Sequence, residues 1–511
     1  MNERHHHCTM TEKIITLLGA MMMALGTAGA QSYDRAEVQM PWLTSTNAAG
    51  IRQDTLTASN ARIHGGAEGG GFRATHEAES AWTAGVSTES VRHLERFSMK
   101  GAFSFEQTQG QGMCGSMFIR PGFYPVDVLE FTPGLKTLQR YAFDGSISID
   151  LTDHLRIGGL MDFASANYAK RKDLRHSNYR LDMTFAPSLV YHSGRTAIGL
   201  SYIFSKNSET VKAEQIGTSE SSYHAFLDKG ILFGHDEIWN GSGVHLAEAG
   251  VNGFPVMETV NGFGLQLQQE GLFGELTLRS RSGQIGEKQF IWYRFPGWDA
   301  SADICYTLDA LDGGRHIFGI HADVIGQRNY ETILEKVTSG GVTTTVEHGS
   351  NQIYSRTHAY AGASYDMVSG LWLIRAEAGM SVRKGLASVM YPYITEQSVN
   401  VLSASASVSR SIGRIDLIGR AGVSRGGVRE SSSMADQDSG VMGAPVRLDE
   451  YNDAYVEWLT ALQYRLGLGL RCRIWHGIYV EIGGGLHAAP SASVAAGTTR
   501  WAGSAAIGYD F

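Results

Sequence analysis

The chain closes on Trp501-Ala502-Gly503-Ser504-Ala505-Ala506-Ile507-Gly508-Tyr509-Asp510-Phe511, and the alternation along these residues decides the fold. Read by twos, Phe511, Tyr509, Ile507, Ala505, Gly503 and Trp501 share one face, while Asp510, Gly508, Ala506, Ser504, Ala502 and Arg500 share the other. A period of two is that of a β-strand, whose successive side chains point to opposite faces. One face is apolar and rich in aromatics; the other is small and polar. That contrast suits a strand with hydrocarbon on one side and a wet lumen on the other. A buried edge strand of a soluble sandwich is the competing reading.

The same alternation recurs along the chain. Tyr141, Phe143, Ile147, Ile149 and Leu151 oppose Arg140, Asp144, Ser146, Ser148 and Asp150. Tyr179, Leu181, Met183, Phe185, Pro187, Leu189 and Tyr191 oppose Arg180, Asp182, Thr184, Ala186 and Ser188. Pro187 counts against this strand unless it sits at a break in the ladder. Ile198, Leu200, Tyr202 and Phe204 follow after a tight turn. Later, Val456, Trp458, Leu462, Tyr464, Leu466, Leu468, Leu470 and Ile474 oppose Glu457, Gln463, Arg465, Gly467, Gly469, Arg471 and Arg473. The polar faces carry Arg, Asp, Glu, Ser and Gly but little Lys, which suits a confined lumen better than an open surface. Tyr179 and Tyr191 are separated by about 40 Å of extended chain, enough for aromatic girdles flanking an apolar band.

Of the 511 residues, 62 are Gly, only 10 are Pro, and 18% are charged. Apart from the amino-terminal run there is no long apolar stretch, which excludes helical membrane spans. There is no linker, so one closed barrel or an all-β array is expected rather than several domains. Met10-Thr-Glu-Lys13, the apolar run 14–24 and Gly26-Thr-Ala-Gly-Ala30 read as a signal peptide, 1–30, cleaved after Ala30. Cys114, Cys305 and Cys472 remain, without the spacing of a disulfide framework or zinc site. The net charge of -8 argues against a nucleic-acid partner.

Connections alternate in length. Short links are read at 152–154, 192–194, 368–370, 411–413 and 475–477, and long loops at about 108–136, 206–260, 331–351 and 430–453. Short periplasmic turns and long outer loops are the habit of outer-membrane barrels. Between 260 and 311 four strands are read, 263–269, 272–281, 288–295 and 300–308, although the parity requires an odd number. The expectation is an all-β fold, a single transmembrane antiparallel β-barrel of 14–18 strands over 62–511, preceded by a plug or lead-in segment at 31–61.

The terminal strand, with Phe511, Tyr509, Ile507 and Trp501, resembles the closing strand of bacterial outer-membrane β-barrels. That resemblance implies an outer-membrane location in a Gram-negative cell, lipid around the wall, and recognition of the terminal aromatic by the barrel-assembly machinery. Asn47-Ala48-Ala49-Gly50 resembles the plug region of the fatty-acid transporter family, where Asn-Pro-Ala-Gly is usual. That resemblance implies a 14-stranded barrel passing apolar solutes inward. Beyond it the chain resembles uncharacterised outer-membrane barrels.

Catalytic signatures are absent: no Gly-x-Ser-x-Gly elbow, no His-Glu-x-x-His, no phosphate-binding loop. The charged residues expected to face the lumen are Arg180, Asp182, Arg375, Glu377, Arg414, Asp416, Arg420, Arg465, Arg471, Arg473 and Glu481. Arg180/Asp182, Arg375/Glu377 and Arg414/Asp416 are opposite charges two residues apart on one face. They would brace a closed lumen or set up a transverse field in an open one. His224, Asp228, His235, Asp236, Glu237 and His245 match no metal motif, so neither metal nor cofactor is expected. The segment 108–131 reads as an outer loop or a lid. The leading expectation is a channel or transporter for small solutes. The alternatives are a non-conducting scaffold binding a partner protein through its outer loops, and a hydrolase using His321 or His487.

Overall fold

The computed structural model describes residues 38–53, 57–172, 174–214, 224–238, 253–311, 313–433 and 445–511. The expected signal peptide and His245 lie outside them. The strands are β1 Ala58–Gly70, β2 Ser80–His93, β3 Phe97–Ser116, β4 Asp127–Asp150, β5 Leu155–Lys170, β6 Arg175–Ser193 and β7 Thr196–Glu214, then β8 His224–Asp228, β9 Phe233–Ile238, β10 Phe254–Gln269, β11 Leu272–Glu287, β12 Phe290–Asp309, β13 Arg315–Ser339 and β14 Val342–Ser369. The remainder are β15 Trp372–Met390, β16 Tyr393–Ile412, β17 Ile415–Ser433, β18 Val446–Arg447, β19 Gln463–Trp475, β20 Ile478–Ala488 and β21 Thr499–Asp510.

All but β8, β9 and β18 form one antiparallel wall of eighteen strands. β7 pairs with β10 and β17 with β19, and β21 returns to β1 in a ladder running from Asn60↔Asp510 to Gly70↔Arg500. The circle therefore has no edge. Closure is what lets strands enter hydrocarbon, because no water is there to satisfy an unpaired backbone group. No described helix is long and apolar enough to cross a membrane; the strands do so. Their outward faces show it: Tyr179, Leu181, Phe185, Leu189 and Tyr191 are each 42–59% exposed. Exposed apolar surface of this extent around the whole wall is a lipid-facing belt. The protein is an outer-membrane β-barrel.

Three readings of the sequence are corrected. The segments 288–295 and 300–308 are one strand, β12, so β10, β11 and β12 supply the odd number that the parity demands. Pro296 lies where the β12–β13 pairing skips from Arg294 to Gly297. Pro187 lies in a similar gap between Phe185 and Ser188 in the β6–β7 ladder. A residue without an N–H is tolerated at such breaks. Val456 and Trp458 belong to a helix, Asp449–Thr460, not to a strand; Asp449 and Glu450 place negative charge in its first turn, where the helix dipole favours it. Finally, the loops at 108–136 and 331–351 are mostly strand. β3 and β4 leave only 117–126 between them, and β13 and β14 form one long hairpin turning at Gly340 and Gly341. The periplasmic turns are tight, with Gly194 (φ 59°) and Gly413 (φ 60°) in left-handed geometry that a glycine adopts without strain.

The wall begins at Ala58, ahead of 62, and the preceding segment lies inside the lumen. It forms a short helix, Pro41–Thr44, and a 3-10 turn, Ala48–Gln53. Trp42 meets Phe273 edge-on, with ring centroids 5.0 Å apart, and donates Nε1–H to Gln268 at 2.7 Å. Asn47 donates its amide to Gln266 Oε1 and to the Leu189 carbonyl, and the Ala49 carbonyl accepts from Ser148 Oγ at 2.8 Å. Arg52 pairs with Asp150 at 2.6 Å. The approach is close because the wall carries glycine there: a Cβ on Gly158 would lie 2.3 Å from the Ala49 nitrogen. Gly158→Leu should therefore displace this segment at a cost of about 1–3 kcal/mol while leaving barrel closure intact. Expected readouts are new protease cleavage within 38–53 and a lower unfolding temperature, with heat-modifiable gel migration retained.

Candidate functional site

The extracellular mouth is roofed from one wall to the other. At its outer end β4 pairs with β8 (Asp127↔Asp228, Leu129↔Phe226), β8 with β9, and β9 with β18. Phe233 on β9 packs with Ala387 of β15 and Tyr393 of β16. Arg447 on β18 ion-pairs with Glu430 of β17 and donates to Thr395 of β16. The roof thus starts at β4 and is anchored on the opposite side. A buried aromatic cluster with Phe118, Tyr124, Phe254, Trp292, Tyr293 and Phe295 holds it from beneath.

Beneath the roof, the segment 117–126, part of the stretch read as an outer loop or a lid, turns into the lumen and is termed the lid for its position. Arg356 on β14 latches it. Its guanidinium donates to the carbonyls of Gly122, Phe123 and Tyr124, and to Gln327 Oε1. Tyr124 donates its hydroxyl to Asn207 at 3.0 Å. The Phe123 ring lies 4.5 Å from the guanidinium carbons of both Arg120 and Arg180, close enough for cation–π attraction.

A polar belt across the wall supports this lid. Arg180 pairs with Asp182 at 2.7 Å and with the buried Glu209 at 3.2 Å. Asn207 donates to Glu258, Arg281 bridges Glu258 and Asp299, and Gln327 links Glu258 to Arg356. Within a low-dielectric interior such a belt is stable only because its members satisfy one another.

Between roof, lid and wall lies a cavity of about 460 Å³. The lid lines it through Arg120 and Phe123, the start of β4 through Asp127, the roof through Asp228 and Ile231, the wall through Arg281, Tyr354, Arg356, His358 and Arg383, and the helix Asp449–Thr460 through Tyr451 and Tyr455. Burial, with Asp228 opposite, pushes Asp127 up to about 8 despite hydrogen bonds from Ser116 and the Val128 N–H. Burial likewise raises Asp228 to about 6 and lowers His76, in the β1–β2 loop lining the cavity, to about 4.

Of the charged pairs expected two residues apart, Arg180/Asp182 forms directly. In the other two the partners lie on neighbouring strands. Arg375 bonds Asp366 at 2.9 Å, and Glu377 accepts from Tyr360. Arg414 lies in a turn and donates to the Ile474 carbonyl, while Asp416 pairs with Arg473 at 2.6 Å. Arg471 is buried against Asp510 at 2.8 Å and over the Tyr479 ring at 3.5 Å. Arg465 donates to Gln463. Glu481 sits opposite Arg471 in the β19–β20 register, and Arg420 opposite Ser407 and Gly467. Within the lumen His321 lies between Asp303 and Asp323, and His487 contacts Gln463. Among the described residues no three His, Cys, Asp or Glu side chains are grouped to hold a metal.

Arg281, Tyr354, Arg356 and Arg383 were not among the expected site residues. The period of two through 354–360 puts Tyr354, Arg356, His358 and Tyr360 on one face, but nothing in that pattern says which lumen residues a lid will touch.

The family model for a "Family of unknown function (DUF6850)" matches residues 48–511. The chain belongs to this family. The membership and the eighteen strands correct the expected likeness to the fatty-acid transporters, which rested on four residues that here form a wall-docked turn. No curated protein matches this DUF6850 chain. Among solved structures it is similar to the FrpB iron transporter from Neisseria meningitidis, at 8% identity over 91% of this chain and 83% of that one, with TM-score 0.41. It is also similar to the ferric preacinetobactin receptor BauA from Acinetobacter baumannii, at 8% identity over 90% and 80%, with TM-score 0.39.

One consequence of the cavity's electrostatics is measurable. Burial in the folded state pushes the Asp127 carboxyl up to about 8, whereas in the unfolded chain it titrates in the usual carboxylate range, near 3.8. The protonated form is thus favoured by folding, and stability falls as the pH rises between those values and is level above them. Asp127→Asn should reduce that decline, so that protection of the roof from protease differs less between pH 5 and pH 8 than in the unaltered protein.

Proposed function

We propose that the barrel is a gated passage for small polar solutes across the outer membrane, with 117–126 as its gate. One observation carries this reading: the inward-turned lid is held by side-chain contacts rather than by a strand ladder, Arg356 of β14 taking three of its carbonyls, with Tyr124 on Asn207, Ile119 on Glu209 and Phe118 in the aromatic cluster. A latch of that kind can release without unfolding the wall. Barrels of 16–18 strands are wide enough for an aqueous channel. The lumenal segment 38–53 packs on β1–β7, β10 and β11, whereas the facing wall presents Asp303, His321, Arg375, Glu377, Ser403, Ser405, Arg420 and Arg465 with substantial exposure. This lining suits hydrated solutes better than the apolar ones that a likeness to the fatty-acid transporters would imply.

Purified protein in planar bilayers should show low conductance with brief openings, and Arg356→Ala should raise the open fraction several-fold. Absence of conductance from both would overturn the reading. If a fixed partner protein then co-purified, the scaffold reading would take its place.

Assembly is proposed to depend on the terminal aromatic. Phe511 stacks on Tyr509 at 5.3 Å, and its N–H reaches the Ser59 carbonyl at the closing seam. Deleting Phe511 should lower the yield of heat-modifiable barrel in membranes, whereas Ser504→Ala should not; an unaffected yield after the deletion would count against recognition of this residue.

A further inference from the structure

We infer that the roofed cavity is a binding site for an organic anion, a carboxylate or phosphate group carried on a planar apolar body. The inference deepens the passage reading and rests on it for its place on the solute's route. The first observation is uncompensated positive charge. Arg120, Arg356 and Arg383 line the cavity, and among the described residues none is in an ion pair. Arg356 is almost wholly buried, and its acceptors are carbonyl and amide oxygens, all neutral. A buried guanidinium without a countercharge is costly; of the cavity's own carboxyls, Asp228 is turned to the Gly230 N–H at 2.8 Å and is not paired with any of the three arginines. Asp127 is bonded to Ser116 Oγ and the Val128 N–H rather than to an arginine, and its burial favours the neutral carboxyl. Arg281, the other cavity arginine, is already neutralised by Glu258 and Asp299. An anion entering here would restore the balance.

The second observation is the shape of the remaining lining. Tyr354, Phe123, Tyr451 and Tyr455 give planar apolar surface, and Tyr455 accepts from Arg383 at 2.7 Å. Aromatic faces next to guanidinium groups hold a flat body by stacking while the cations hold its charged end. At about 460 Å³ the space falls within the range of small-molecule sites. Bare inorganic anions would leave the aromatic surface unused, and uncharged aromatics would leave the arginines uncompensated.

Calorimetry on the full chain in detergent tests this with naphthyl phosphate and naphthoate as probes, against uncharged naphthylmethanol and inorganic phosphate. The two organic anions should bind at least ten times more tightly than either control, and more weakly as salt is added. Arg383→Gln, which alters a solvent-exposed lumen side chain, should weaken naphthyl phosphate at least tenfold. Arg195→Gln, in a periplasmic turn, should not. Equal affinity for naphthylmethanol, equal affinity for inorganic phosphate, or an unaltered affinity in Arg383→Gln would each overturn the inference. Conductance without selective binding would sink the site and leave the passage standing. Binding without conductance would keep the site and sink the passage.

Discussion

Everything in this protein depends on the requirement that no backbone N–H or C=O be left unpaired in hydrocarbon. The ladder from Asn60↔Asp510 to Gly70↔Arg500 is where the requirement is met, because it joins the first strand to the last. It makes the wall a circle, and the circle gives the molecule its two chemical environments. Outward residues meet lipid and are apolar. Inward residues meet water, the amino-terminal segment or the lid, and are charged, hydroxylic or glycine. At the periplasmic end of the seam, Asp510 accepts from both Asn60 and Arg471, so closure is braced from the lumen side as well.

The lumen is filled unevenly, and the proposed gating rests on this asymmetry. At the periplasmic end, the segment 38–53 covers one side of the wall, seated where Gly158, Gly199 and Gly264 leave room for another backbone or side chain. At the outer end, the β4–β8–β9–β18 sheet crosses the mouth and the lid hangs beneath it. Wall and roof differ in what holds them. The wall stands on continuous ladders, the roof on short pairings, a few ion pairs and an aromatic cluster. In the proposed gating, the part that moves is the one attached by the weaker set of contacts, so it can open while the frame stays.

Much of the fold was legible in the sequence because barrel strands repeat one rule many times. The faces of Tyr141–Leu151, Tyr179–Tyr191, Ile198–Phe204 and Trp501–Phe511 lie as the alternation placed them. The errors fell where a local signal has two meanings. The stretch 296–299 is read as a link between two strands, whereas β12 runs through it, carrying Pro296 where the pairing with β13 is skipped. Val456 and Trp458 fit a period of two by chance within a helix. Opposite charges two residues apart suggested pairs along a strand. For Arg375 and Asp416 the true partners, Asp366 and Arg473, lie across strands, because neighbouring strands bring side chains as close as the next position on the same face.

The sequence by itself determined that the chain is a membrane-spanning β-barrel, which residues face lipid, and which end is closed by an aromatic. These follow from periodicity, a local property repeated in every strand. Only the tertiary structure decided that there are eighteen strands, that 117–126 enters the lumen, and that Arg356, Arg383, Tyr354 and Tyr455 share a cavity. Those facts depend on strand register and on contacts between residues far apart in the chain, such as Arg356 with Phe123. Alternation says which way a side chain points; it does not say what will be folded against it.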